Sequence, residues 1–135
     1  MEFKDIVKYA AAIGSSFITY LFGGWSALIQ ILVAFVVIDY VTGVLAAAYH
    51  GKLDSNVGLK GIAKKIFIFV IVACGHLVDN AMGIQDIVRD TAIYFYIANE
   101  LLSILENAGE IGLPVPDILK NSIDSLKGKE KDSLG

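Results

Sequence analysis

The chain has 135 residues, 56% hydrophobic and 19% charged, with a mean hydropathy of +0.64 and a formal net charge of -3. That balance sets aside an ordinary water-soluble domain of this size, and an acidic pI near 5.2 sets aside a nucleic-acid binder that works by neutralising phosphates. The lone cysteine, Cys74, leaves no intramolecular disulfide and no cysteine zinc cage.

The first apolar segment runs from about Phe3 to Phe22. Lys4, Lys8, Ser15, Ser16 and Thr19 fall on one helical face, and Ile6, Ile13, Phe17 and Leu21 on the other. Residues 1–24 therefore either lie flat in a membrane interface or cross the membrane. The start imitates a signal peptide, but Glu2 and Asp5 dilute its basic character and apolar sequence resumes after Gly23 and Gly24, so the segment is read as part of the mature protein.

The second segment, Trp25 to about Tyr49, is long enough to span a bilayer, and Trp25 and Tyr49 at its ends are expected as interface anchors. No formal charge interrupts the chain from Tyr9 to Ile38. Asp39, halfway along, would cost about 2.5–3.5 kcal/mol as an ionised carboxylate on an isolated spanning helix. It either faces a protein or water-filled interior created by oligomerisation, or is satisfied locally with Thr42 one turn away. Gly43 and Ala47 form a small-xxx-small pair that admits a close helix neighbour.

The polar loop from His50 to Lys60 contains Gly51, Asp54, Ser55, Asn56 and Gly58, residue types that supply turns and caps. The third segment, from about Gly61 to Met82, is uncharged only from Ile66 to Val78, so spanning asks Lys64 and Lys65 to snorkel at one end and Asp79 to sit near the other interface. His76, Asp79 and Asn80 share helical spacing. One histidine and one carboxylate make an incomplete metal site, so a satisfied interfacial polar cluster is expected, with no metal and no cofactor. Cys74 reads as a small hydrophobe.

After a polar turn from Gly83 to Asp90, the fourth segment covers Thr91 to Asn107. Tyr96, Asn99, Glu100, Ser103, Glu106 and Asn107 recur at spacings of three, four and seven, which gathers them on one stripe, while Tyr94, Ala98, Leu101 and Leu105 face away. Such a stripe needs another helix or water; gluing a bundle and lining an aqueous lesion both stay open. Gly109, Gly112, Pro114 and Pro116 end this helix, and Asp117 caps a short amphipathic one with Ile118, Leu119, Ile123 and Leu126 on its apolar face. Residues 127–135 read as a solvated tail.

Orientation follows from the lysines. Lys52, Lys60, Lys64 and Lys65 flank one loop and Lys120, Lys127, Lys129 and Lys131 the C-terminal region, whereas the turn between the third and fourth segments carries only Arg89. The loop at residues 50–60 and the C-terminus are expected to be cytoplasmic, with segments three and four forming a transmembrane hairpin. The expected fold is an all-α integral membrane protein with three to four membrane-embedded helices: residues 1–24, then a core over 25–110 (helices about 25–49, 61–82 and 91–107), then a cytoplasmic amphipathic helix and tail over 111–135.

Several runs together resemble a known family. Ile38-Asp39-Tyr40-Val41-Thr42-Gly43, then Gly58-Leu59-Lys60-Gly61-Ile62-Ala63-Lys64-Lys65, then Tyr94-Phe95-Tyr96-Ile97-Ala98-Asn99-Glu100, Ser103-Ile104-Leu105-Glu106-Asn107 and Gly112-Leu113-Pro114-Val115-Pro116 are similar to the toxin-secretion and phage-lysis holins of Gram-positive bacteria and their phages. The likeness covers about Trp25 to Leu126. It implies a multi-pass protein of the bacterial cytoplasmic membrane that forms homo-oligomers in the lipid bilayer and opens lesions. These release a peptidoglycan hydrolase (endolysin) or, in some clostridia, a toxin.

That role brings no catalytic residues, and no nucleophile elbow, phosphate loop, HExxH or CxxC pattern occurs, so an enzyme is not expected. A small oligomeric ion-conducting or structural membrane subunit, or an accessory subunit of a secretion system, is the alternative. On the holin reading, the faces that meet another helix or the pore are carried by Asp39, Thr42, Gly43, Ala47, Tyr96, Asn99, Glu100, Ser103 and Asn107.

Overall fold

The computed structural model describes residues 1–122 and residue 125. Four long helices account for most of them: α1 (Phe3–Phe22), α2 (Ala27–Tyr49), α3 (Ser55–Met82) and α4 (Ile87–Glu110). A further helical turn begins at residue 117, so Asp117 is its first residue rather than its cap, and the Lys120 N–H reaches back to the Pro116 carbonyl at 3.1 Å. Ile118 and Leu119 of that turn are exposed; Ile123, Leu126 and the tail lysines of residues 127–131 lie outside the described residues.

Two helices run longer than their apolar stretches suggest, and each extension has a cap behind it. Asp54 accepts the Asn56 backbone N–H at 2.9 Å, so α3 begins at Ser55 rather than near Gly61 and takes Gly58 and Lys60 into its first turns. Helix α4 begins at Ile87 rather than Thr91 because its first N–H groups are satisfied by a carboxylate from α3, described below.

Helices α2, α3 and α4 lie side by side, α2 parallel to α4 and α3 antiparallel to both. Near the α2 N-terminus, Ile29, Leu32 and Val36 pack with Ile68 and Val72 of α3 and Ile93 of α4 in one buried cluster, flanked by Phe22, Phe69 and Tyr96. At the opposite end, the His50 imidazole donates from Nε2 to the Glu110 carbonyl at 2.7 Å. The short loop after α2 and the segment after α4 therefore share one end of the bundle. The end of α1 and the α3–α4 turn share the other.

Helix α1 stands apart from this packing. None of its residues is buried, and it meets the bundle through its last turn, where the Phe22 ring sits edge-on to Phe69 with centroids 6.4 Å apart.

The bundle is apolar outside and polar within. Val37, Leu45, Ile66 and Phe67 are more than half exposed, whereas Asp39, His76, Asp79, Arg89 and Glu100 are buried. A continuous apolar exterior on this scale is a surface made for lipid rather than water. Two of the helices, α2 and α3, are long and apolar enough on their own to cross a membrane. By that measure the number is two rather than three to four. Lys4, Asp5 and Lys8 in α1, and Arg89, Asp90, Glu100 and Glu106 in α4, keep those helices below it.

Candidate functional site: a charged network inside an apolar bundle

The helical repeat sends Asp39 of α2, Lys65 of α3 and Glu100 of α4 to the common axis of the three helices. Lys65 Nζ lies 2.5 Å from Asp39 Oδ2 and 2.8 Å from Glu100 Oε2, and the three side chains are 17%, 11% and 4% exposed in that order. Two carboxylates thus share one ammonium. Asn107, two turns beyond Glu100 on α4, donates from Nδ2 to the Asp39 carbonyl at 3.1 Å, to Asp39 Oδ1 at 3.0 Å and to Thr42 Oγ1 at 2.9 Å. Thr42 in turn donates back to the Ile38 carbonyl at 2.8 Å. Among the described residues, no buried side-chain polar atom lacks a partner.

Lys65 therefore does not snorkel. Its ammonium is drawn inward because two carboxylates on neighbouring helices offer it charge-assisted hydrogen bonds. Lys52, Lys60 and Lys64 do point outward and are exposed at the end of the bundle that carries the α2–α3 loop. Trp25 and Tyr49 are exposed at opposite ends of α2.

The polar stripe of α4 divides. Glu100 and Asn107 enter the network, Tyr96 packs against the apolar cluster, and Ser103 is half-buried. Asn99 faces outward. On α2 the small residues serve packing within the chain: a Cβ built on Gly43 would stand 3.6 Å from Asn107 Nδ2, and Ala46 is buried. Ala47, Gly43, Gly58 and Gly61 line an open groove of roughly 250 Å³ where α2 and α3 separate toward their loop, with Lys52 at its mouth.

A second polar cluster closes the far end of the bundle. Asp79, fully buried near the end of α3, accepts the Val88 N–H at 2.9 Å and the Arg89 N–H at 3.0 Å, so it caps α4 from another helix. Gly83, with φ 69°, ends α3 in the left-handed region and lets the Ile84 N–H reach back to the Asp79 carbonyl at 3.0 Å. The Asn80 amide donates to His76 Nε2 at 3.2 Å, and His76 Nδ1 donates to Asp86 at 3.2 Å.

Arg89, 5% exposed, bridges Asp86 and Asp90 and donates from Nη1 to the Phe22 carbonyl at 2.7 Å, which ties the C-terminus of α1 to the α3–α4 turn. Close approach is built in. A Cβ on Gly23 (φ 76°) would meet His76 Cε1 at 2.6 Å, and one on Gly75 would meet the Arg89 backbone at 3.1 Å. The sequence pattern of His76, Asp79 and Asn80 signals a satisfied polar cluster; the part of Arg89 in it is carried by no pattern, because its partners lie in α1 and the turn.

Comparison with known proteins places the chain in a family. A family model described as the bacteriophage holin family matches residues 16–128. An uncharacterized protein of Halalkalibacterium halodurans is 47% identical over 132 residues, covering 94% of this chain and 98% of its own length. One of Listeria monocytogenes is 44% identical over 130 residues (94% and 93%). An uncharacterized 14.9 kDa protein from the nagH 3′ region of Clostridium perfringens is 36% identical over 132 residues (94% and 99%). No solved structure matches. An apolar exterior on all-helical architecture, two helices able to cross a bilayer, and a family match across most of its length make this chain a holin-like membrane protein, a member of the bacteriophage holin family.

Proposed function

We propose that the chain is a holin: it accumulates in a bacterial cytoplasmic membrane, associates laterally into homo-oligomers, and opens lesions that let a peptidoglycan hydrolase or a toxin leave the cell. One observation carries this reading, the Asp39–Lys65–Glu100–Asn107 network at the centre of a bundle that is apolar outside. A purely structural subunit gains little from it, because well-packed hydrophobic residues in place of a buried ion pair are often as stable or more so. A protein that must convert from a sealed form to a water-lined one needs polar groups that are satisfied in both. Lateral rearrangement of α2, α3 and α4 would turn the same carboxylates, ammonium and amide from each other to water.

In this reading three helices cross the membrane. Helix α4 is bonded to α3 at one end through Asp79, to both neighbours in its middle through Glu100 and Asn107, and to His50 at its other end, so it shares their depth despite its weaker hydropathy. Its 24 residues reach about 36 Å, enough for a hydrocarbon core of about 30 Å. The exposed Lys52, Lys60 and Lys64 support a cytoplasmic α2–α3 loop and C-terminal segment in this reading, and Arg89 at the other end is neutralised by Asp86 and Asp90. Helix α1 is embedded as well, crossing or lying in the interface. The mechanism asks for no catalytic group.

Inducible expression in a bacterium tests the proposal. The expected result is an abrupt collapse of membrane potential at a reproducible time, with lysis once a peptidoglycan hydrolase is co-expressed. Cells that keep their potential at high expression would refute it.

A further inference from the structure

The charges at the centre of the bundle do not cancel. Asp39 and Glu100 both bond to the single ammonium of Lys65, and the fourth partner, Asn107, is an amide that brings no charge. Fully ionised, the network carries one uncompensated negative charge, which a low-dielectric interior disfavours. No neighbour supplies the balance. Helix α1 has no buried residue and meets the bundle at its far end, and Lys64 of α3 is exposed. The phenols of Tyr40 on α2 and Tyr96 on α4 are neutral at neutral pH. Lys52 and Asp54 of the α2–α3 loop are of opposite sign. Two carboxyl groups held on one partner resolve such a conflict by keeping a proton between them.

A proton needs a route, and the fold has one. The groove of roughly 250 Å³ between α2 and α3 is lined at its inner end by Asp39, Lys65 and Asn107 and at its outer end by Lys52 and Asp54. Gly43 on α2 and Gly58 and Gly61 on α3 keep it open by withholding side chains; a Cβ on Gly58 would stand 3.4 Å from the Tyr40 hydroxyl. At about 30 Å³ per molecule the space holds several waters, and the polar groups at its ends give them partners that an acyl chain could not use. Beyond the network the passage stops. Val36 lies one turn from Asp39 and Ile68 one turn from Lys65, and with the fully buried Leu32, Val72 and Ile93 they fill the axis.

We infer that Asp39 and Glu100 form a proton-binding site that holds one proton between them, and that the groove between α2 and α3 is its route to water on the loop side. Loading moves a proton from a hydronium ion in the groove to a carboxylate oxygen and leaves water behind; no covalent bond of the chain breaks. The inference rests on the bundle being membrane-embedded, as in the proposed function, and gives the network a ligand as well as a structural part.

The test uses the full chain in phosphatidylglycerol–phosphatidylethanolamine vesicles loaded with a fluorescent dye. Infrared spectra at neutral pH should contain a protonated-carboxyl C=O stretch equivalent to a single group per chain, fading as the pH is raised. It should vanish in Glu100→Gln and equally in Asp39→Asn, because either variant leaves one carboxylate for one ammonium. In a Cys74→Ala background, Gly43→Cys in the groove should react with a membrane-impermeant methanethiosulfonate added on the side that labels Asp54→Cys. Its rate should be several times that of Leu45→Cys, which lies at similar depth on the exposed face of α2.

A spectrum without the band, or a band that survives in both variants, overturns the site. A Gly43→Cys thiol no more reactive than Leu45→Cys overturns the groove as its route. Dye release in the same vesicles separates the two proposals: leakage from a chain that lacks the band removes the site and leaves the holin reading, whereas the band in vesicles that never leak does the reverse.

Discussion

Lys65 answers to two acceptors at once, Asp39 at 2.5 Å and Glu100 at 2.8 Å, and that double duty makes it the most sensitive residue in the bundle. Removing one partner of a buried ion pair strands the others and costs about 3–5 kcal/mol. Lys65→Met is therefore expected to lower stability by about 3 kcal/mol or more in detergent unfolding. Combining it with Asp39→Asn and Glu100→Gln should restore most of the loss, and a triple variant as unstable as the single one would argue against the network. Asn107→Leu forfeits bonds to Asp39 and Thr42 and should cost about 1–3 kcal/mol in the same assay.

Much of this was legible residue by residue. Asp39, Glu100 and Asn107 stand out as polar groups poorly suited to lipid, and the structure buries Asp39 and Glu100 and half-buries Asn107 between the helices. Lys65 was not legible, because a lysine near the end of an apolar run ordinarily snorkels, and its partners lie 26 and 35 residues away on other helices. Nor could a stripe drawn at helical spacing divide Asn99 from Glu100, since adjacent residues differ by only about 100° around the axis.

At the scale of elements, the apolar runs and glycine breaks mark all four helices, while their ends depend on contacts that no local pattern contains. Helix α4 gains its first turn from Asp79, which accepts two of its backbone N–H groups from another helix. Asp79→Ala should cost about 1–3 kcal/mol and speed hydrogen exchange at the Val88 and Arg89 amides ahead of the rest of α4. Exchange that stays uniform along the helix would show that the cap is dispensable. Gly75 touches the same turn: a side chain there meets the Arg89 backbone at 3.1 Å, so Gly75→Val should separate α3 from α4 at a cost of about 1–3 kcal/mol, read as a lowered Tm.

For the whole molecule, hydropathy alone recovers α2 and α3 as helices able to cross a membrane, and a crossing by α4 belongs to the proposal, argued from its bonds to both neighbours rather than from composition. The bundle has one end defined by His50 and Glu110 and another defined by Gly23, Asp86 and Arg89. Cysteines introduced in a Cys74→Ala background at residues 24 and 86 should be labelled from one face of the membrane and at residue 54 from the other; residue 2 then reports whether α1 crosses. Residues 24 and 86 labelled from opposite faces would contradict the three-helix arrangement.

The most direct measurement of lesion formation is release of a protein-sized cargo. Vesicles loaded with both a small dye and a folded enzyme, and titrated with the purified full-length chain, should stay sealed at low density and then lose dye and enzyme together above a threshold. Loss of the dye with the enzyme retained at every density would contradict it and point to a small conducting pore.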